Sequence, residues 1–331
     1  MEPTVGGVTF GRSTTPLPVD AVARPSGRPR IVLIGVGTWC RHLQVELESV
    51  SDLDVAVRAP RSVTTLARER ADLVVRVGMR PDARTVRGRA FDLAWNRSVP
   101  VERSVTYWIG TDVYDTVHDV ERHGVVVDRR AGTHLAGAPW MTDELRRIGI
   151  PAETAVFPTT HPERRPVAPL PDEFVVHAYV PQLKPDFYGR RVVEELARRR
   201  PDMRFEVWGS ERDAPTANLT YRGRTDDMLA TLDRTVVHLR LTRHDAFPAT
   251  VREALGRGRW VLFPYEFPGV VSVPPWDIDR IETELDRLAA AFARRELGLN
   301  EVGRAAVEPY LDDSAARQLA ARLAVLAGAS R

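Results

Sequence analysis

Thr235-Val-Val-His-Leu-Arg-Leu241 and Arg259-Trp-Val-Leu-Phe263 flank the segment His244-Asp-Ala-Phe-Pro-Ala-Thr-Val-Arg-Glu-Ala-Leu-Gly-Arg-Gly258. The flanks are short apolar runs, the pattern of strands buried on both faces. Between them the sequence predicts a helix over 248–257. Pro248 suits its first position, where the missing N–H is not needed. Strand, helix and strand at this spacing form a parallel βαβ unit. The loop 245–247 therefore runs straight into a helix N-terminus. That end presents unpaired backbone N–H groups and a partial positive charge, which suits a diphosphate. Asp245 precedes the helix and Glu253 lies about one and a half turns inside it. Carboxylates there can accept hydrogen bonds from sugar and ribose hydroxyls. A capping Asp and a surface Glu would read the same way.

The pattern repeats in both directions. Phe174–Tyr179 and Phe205–Trp208 read as strands, 186–200 and 225–233 as helices. Toward the N-terminus, Arg30–Gly35 and residues 53–57, 73–77, 91–95 and 104–109 read as further strands. Helical pieces fall at 61–70 and 142–148. Beyond Ile278 the chain is helical, with apolar spacing in 281–297 and 314–327. Pro158, Pro162, Pro166, Pro169 and Pro171 interrupt the pattern, because such a run holds neither helix nor central strand. The expected organisation is a flexible tail over 1–28, an N-terminal Rossmann-like domain over 29–160 and a linker over 161–172. A C-terminal Rossmann-like domain follows over 173–310, and a last helix over 311–331 is expected to cross back to the first domain.

Composition excludes several classes. Hydrophobic residues are 43% of the 331 and charged residues 28%, as in an ordinary globular chain. A net charge of +2 gives no field for nucleic acid. Cys40 is the single cysteine, so neither an intrachain disulfide nor a cysteine-based zinc site can form. A reducing cytoplasm fits. There is no signal-peptide pattern and no run of 18 apolar residues; peripheral membrane contact stays open, as does the oligomeric state.

The 244–258 segment resembles the acid-x7-acid motif of the retaining glycosyltransferase family 4. Asp245 stands where that family has its first Glu, Phe247 where it has Phe, and Pro248 where it has Gly. Glu253, Ala254 and Gly258 match. Lys184, after the strand ending at Tyr179, resembles the family's diphosphate lysine. The arginine expected five positions earlier is replaced by Tyr179, and Arg190 is the candidate substitute. Gly209 and Gly223 resemble glycines near the nucleotide base. Tyr107-Trp-Ile-Gly-Thr-Asp-Val113 places Asp112 at a strand's C-terminal end, where α/β sheets bind ligands. Asp112 is either a site residue there or a helix cap. Gly37, in Gly35-Val-Gly37, holds the matching place after the first strand.

The resemblance implies a GT-B fold, two Rossmann-like parallel-sheet domains facing across a cleft. It implies transfer from a nucleoside-diphosphate sugar, with retention, to a hydroxyl on a small-molecule or lipid-linked acceptor held by the N-terminal domain. The diphosphate would be neutralised by Lys184, arginines and the helix end, with no metal and no cofactor. Lys184, Asp245 and Asp112 are then the expected catalytic residues. Glu253, Ala246, Phe247, Pro248, Arg190, Gly209, Gly223 and Gly37 are the expected donor contacts, with Glu253 on the ribose. Asp245 is one methylene shorter than the family's Glu. With the missing arginine, it motivates a second reading, a catalytically weakened GT-B protein that binds sugar nucleotide or partners an active enzyme. A third reading, a nicotinamide-dependent enzyme, rests only on the α/β pattern and Gly35-Val-Gly37, without the third glycine of that fingerprint. His118 and His123 are not at the i, i+4 spacing of a helical metal pair. Asp52-Leu-Asp54 leads directly into a strand.

Overall fold

The computed structural model describes residues 27–80, 85–124, 132–158 and 165–329. Most of the expected tail lies outside these residues, as do the first four positions of the expected linker. The chain divides into two compact units. Among the described residues, one contains 27–158 together with Asp245–Phe247 and 312–329; the other contains 165–244 and Pro248–Leu311.

The first unit runs β1 (Arg30–Gly35), α1 (Gly37–Val50), β2 (Asp54–Arg58), β3 (Leu73–Val77), α2 (Val86–Ser98), β4 (Ser104–Trp108), α3 (Thr111–His123), β5 (Thr133–Ala136), α4 (Pro139–Arg147) and β6 (Glu153–Thr154). All its strands are parallel, in the order β2-β1-β3-β4-β5-β6. Strand β1 shows why its run reads as buried. Ile31 and Leu33 join one core with Leu43 and Leu47 of α1, while Val32 and Ile34 join a second core with Trp95 of α2. The period of two splits one strand between two cores. Gly35 is required by close packing, since a Cβ there would lie 2.0 Å from the Val77 carbonyl oxygen.

Residues 91–95 are helix, not strand. A five-residue apolar run cannot separate the two by itself. The surroundings decide for helix: the Thr85 hydroxyl accepts from the Gly88 amide at 2.9 Å and caps α2. Asp92 pairs with Arg76 at 2.6 Å, and the Arg76 guanidinium lies 4.9 Å from the Phe91 ring centroid. The helical residues 60–68 are 3-10 in form.

The second unit runs β7 (Val175–Tyr179), α5 (Arg190–Arg199), β8 (Arg204–Trp208), β9 (Leu219–Gly223), α6 (Met228–Asp233), β10 (Val237–Leu239), α7 (Ala249–Gly256), β11 (Trp260–Phe263), β12 (Val270–Ser272), α8 (Ile278–Ala293) and α9 (Glu301–Val307). Its sheet is also parallel, in the order β12-β11-β10-β7-β8-β9. Val176, Ala178, Val237 and Leu239 pack with Val193 and Leu196 of α5 and Leu285 and Leu288 of α8. The alternate residues His177 and His238 take the opposite face. The last helix, α10 (Ser314–Ala329), belongs to the first unit. There Leu319 and Leu323 enter the core containing Leu43, and Arg322 pairs with Glu153.

Residues 165–169 of the proline segment pack within the second unit. Arg257 donates to the carbonyl oxygens of Arg165 and Pro166, at 2.8 and 2.6 Å. Arg259 donates to those of Ala168 and Pro169, at 2.9 and 3.1 Å. Asp233 accepts from both guanidiniums.

Candidate functional site

Strands β7, β10 and β8 end side by side, and the segments leaving them carry the donor-side candidates. After β7 the chain turns at Lys184, whose φ of 55° is left-handed. That conformation costs an L-residue roughly 1–2 kcal/mol, and such strain concentrates at functional positions. A 3-10 turn, Pro185–Tyr188, follows, and α5 starts from Gly189. The turn is stitched to the segment beyond β10. The Arg243 amide donates to the Phe187 carbonyl at 3.0 Å, and a Cβ on Gly189 would meet the Leu241 carbonyl oxygen at 2.4 Å. Gly189 has a φ of 79°, so glycine is needed there on two counts. Lys184 itself is exposed. Of the 47 basic residues in the chain, 46 are arginine and one, Lys184, is lysine.

Arg190, the expected substitute cation, is held by Asp186 at 2.7 Å. A different arginine occupies the ground near Tyr179. Leu239 pairs in register with Ala178, so Arg240, one residue past β10, stands beside Tyr179. Its guanidinium carbon lies 4.7 Å from the Tyr188 ring centroid and 5.5 Å from that of Tyr179. Sequence spacing gives no warning of this, because the rings come from another strand and its turn.

Gly209 and Gly223 close the ends of β8 and β9. The Gly209 amide donates to the Gly223 carbonyl at 2.6 Å, and the Gly223 amide to the Ser210 carbonyl at 3.1 Å. Both have positive φ, 96° and 70°. A Cβ on Gly209 would lie 2.9 Å from the Val180 carbonyl oxygen. Ser210 is buried, and its hydroxyl has no partner among the described residues.

Helix α7 begins at Ala249, with Pro248 as its extended N-cap rather than its first turn residue, and it has neither a side-chain cap nor an acid in the first turn. Glu253 sits inside it, 9% exposed. Burial pushes its carboxyl up to about 7, with the neighbouring Arg252 charge opposing. The Ala246 amide donates to the Asp245 carboxylate at 3.1 Å. Ala246 and Phe247 are buried within the first unit, where Trp140 Nε1 donates to the Asp245 carbonyl at 2.8 Å.

The first unit carries the other two candidates. Asp112 is buried, and its carboxylate accepts from the amides of Gly110 at 2.8 Å and Ile109 at 3.2 Å. It thus closes the turn that leads into α3, whose N-cap, Gly110, has no side-chain cap hydrogen bond. Burial holds its carboxyl up at about 6, against the lowering effect of those amides. Gly37 is the first residue of α1 and has open space where a Cβ would be. His118, Asp119 and His123 bring potential ligand atoms within 4.8 Å of one another, but Asp119 is paired with Arg80.

No family model matches the sequence, and no curated protein matches it. Solved structures do match its fold. A sucrose-phosphate synthase from Thermosynechococcus elongatus is 13% identical over 89% of this chain and 98% of its own, with a TM-score of 0.62. OtsA in its apo form is 10% identical over 88% of this chain and 98% of its own, with a TM-score of 0.56. The pneumococcal O-GlcNAc transferase GtfA, solved with UDP and GlcNAc, is 9% identical over 80% of this chain and 59% of its own, with a TM-score of 0.53. Two parallel six-stranded α/β units with this likeness are the GT-B fold of glycosyltransferases.

Proposed function

We propose that the chain is a glycosyltransferase that moves a sugar from a nucleoside-diphosphate donor to a hydroxyl acceptor, with retention and without a metal. The observation that carries this reading is the placement of Lys184. The one lysine of the chain sits exposed, in a left-handed turn, at the C-terminal end of the second unit's central strand. Open α/β sheets bind ligands at that end. The GT-B fold supplies the reaction class as context, and the UDP bound by GtfA is consistent with it.

In this reading the bond from the anomeric carbon to the donor's β-phosphate oxygen breaks, and its electron pair leaves with the diphosphate. The acceptor oxygen forms the new bond on the same face. Its proton passes to the departing phosphate oxygen. The protein's task is to stabilise charge growing on that phosphate. Lys184 and the uncapped start of α7 serve it, while Glu253 takes the ribose hydroxyls. The acceptor is a small molecule or a lipid-linked hydroxyl. No helix among the described residues is long and apolar enough to cross a membrane.

Thermal shift against UDP, ADP, GDP and their sugar conjugates tests the donor, since a ligand of the folded state raises its stability. Release of nucleoside diphosphate on adding acceptors tests the transfer. Binding without turnover on any acceptor selects the catalytically weakened protein instead. Absence of binding by every nucleoside diphosphate ends the proposal.

A further inference from the structure

We propose that the outward face of α2 docks on an anionic lipid surface, with Arg87, Arg89 and Arg97 at the headgroups and Val86, Leu93 and Val101 beneath them. The inference is independent of the donor reading, since it concerns another helix and needs no nucleotide.

Placement argues first. The inner side of α2 is accounted for by the fold. Phe91, Ala94 and Trp95 pack into the core with Val32 and Ile34 of β1. Asp92, the one acid of the helix, pairs with Arg76 at 2.6 Å. At about 3.6 residues per turn, Val86, Arg89, Ala90, Leu93 and Arg97 fall on the opposite side. All of them are exposed, and so are Arg87 and Asn96 at the margins of that face. Val86 is 76% exposed and Leu93 52%, and Val101, just past the helix, is 54% exposed.

Charge argues second. Elsewhere on the surface the arginines of helices are matched by acids. Glu195 pairs with Arg198 and Arg199 on α5, and Glu284 with Arg280 and Arg287 on α8. Asp143 pairs with Arg146 on α4, and Asp313 with Arg317 at the start of α10. Arg87, Arg89 and Arg97 have no ion-pair partner among the described residues. Their face carries no carboxylate. The next exposed acid, Glu102, lies beyond the helix and is followed by Arg103. A net charge of +2 over the whole chain thus conceals a local positive face.

Chemistry argues third. Arginines interleaved with aliphatic side chains on one helix face suit the boundary between headgroups and acyl chains. The guanidiniums reach phosphate oxygens while their stems and the aliphatic residues leave water. Nucleic acid would meet the same charge but gain nothing from Val86, Leu93 and Val101. The face has no aromatic ring for a base to stack on.

The experiment is co-sedimentation of the full chain with vesicles, without nucleotide. One set is phosphatidylcholine alone, the other phosphatidylcholine and phosphatidylglycerol in equal parts. Native protein should bind the mixed vesicles and not the neutral ones, and high salt should release it. Arg87→Gln, Arg89→Gln and Arg97→Gln together should weaken binding roughly 10²-fold, about fivefold per arginine. A control with the same change of net charge, Arg198→Gln, Arg294→Gln and Arg317→Gln, should stay within threefold of native; these arginines are exposed and lie on other elements. Val86→Ser with Leu93→Ser, which leaves the charge unchanged, should weaken binding several-fold. Equal loss in the two glutamine triples would show that net charge alone acts and overturn the assignment. Binding untouched by the serine changes would sink the docking face, as would no binding of native protein to the mixed vesicles. An unstructured RNA bound as tightly as those vesicles, by native and serine variant alike, would give the face to nucleic acid instead. Hydrogen exchange of native protein on mixed vesicles decides without variants: it should slow on α2 and not on α5 or α8, and the reverse would refute the placement.

Discussion

The Nδ1 atoms of His177 and His238 lie 2.7 Å apart between paired strands β7 and β10, both rings fully buried. One ring must donate and the other accept, so at least one is neutral. Neither Nε2 has a partner among the described residues. Burial holds His177 down at about 3, with Glu206 opposing, and holds His238 well below its ordinary value, with the facing His177 and then Arg240 adding to the effect. The unfolded chain takes up protons on both rings below about pH 6.5, whereas the folded chain does not. Stability should therefore fall as pH drops from 6.5 toward 3, by up to about 1.4 kcal/mol per pH unit for each ring. A double replacement, His177→Leu with His238→Leu, should flatten the dependence of the unfolding midpoint between pH 6.5 and 4.5. Parallel curves for native and variant would contradict the pair's role.

Glu253 pulls in the opposite direction. Its carboxyl is pushed up from 4.5 to about 7 by burial. The folded state therefore holds a proton that the unfolded state has lost, and this contribution disappears as pH rises through 7. Ionising Glu253 in place then costs up to about 3 kcal/mol. Glu253→Gln should leave the melting temperature near native at pH 5 and raise it by several degrees at pH 8. The same variant should bind nucleoside diphosphate several-fold more weakly, since a charge-assisted hydrogen bond becomes a neutral one. A variant that gains stability without losing affinity would move the ribose site elsewhere.

Much of the sheet is legible in the sequence, because parallel strands buried on both faces leave nearly continuous apolar runs. Arg30–Gly35, 73–77 and Arg259–Phe263 are such runs, and each is a strand within a residue. Residues 91–95 carry the same composition and are helix, because a cap six residues upstream and a buried arginine on β3 fix their partners. Strands β5, β6 and β12 carry no such run: Thr133–Ala136 and Val270–Ser272 have two apolar residues each and Glu153–Thr154 has none. At the candidate site, Lys184 and Glu253 show in local spacing. Arg240 does not, since Tyr188 and Tyr179 lie 52 and 61 positions away and no periodicity links them.

A single lysine makes the site chemically addressable. Amine acetylation should modify Lys184 and the chain's amino terminus, and nothing else. Peptide mass spectrometry with increasing UDP, ADP or GDP should show Lys184 protected while the terminus reacts unchanged. Lys184→Gly should keep or raise the melting temperature, because glycine accepts the left-handed turn. It should nevertheless lower turnover by roughly 10²–10³, the scale of losing one transition-state charge contact. Unprotected labelling at saturating nucleotide would place the diphosphate away from this turn.

Asp233 makes the sharpest case for stability. It lies between Arg257 and Arg259, which are 5% and 0% exposed, and both guanidiniums also hold carbonyls of the proline segment. Asp233→Ala strands two buried cations and should cost about 3–5 kcal/mol. Were the cluster only an ion pair, replacing all three residues with apolar ones (Asp233→Leu, Arg257→Met, Arg259→Met) should restore most of that loss. The structure argues otherwise, because the carbonyls of Arg165, Pro166, Ala168 and Pro169 would then lose their donors, at about 1 kcal/mol each. The triple variant should therefore stay well below native in stability. Hydrogen exchange should rise at Val167, Ala168 and Leu170, and recovery to native exchange and melting would show that the arginines serve Asp233 and not the segment.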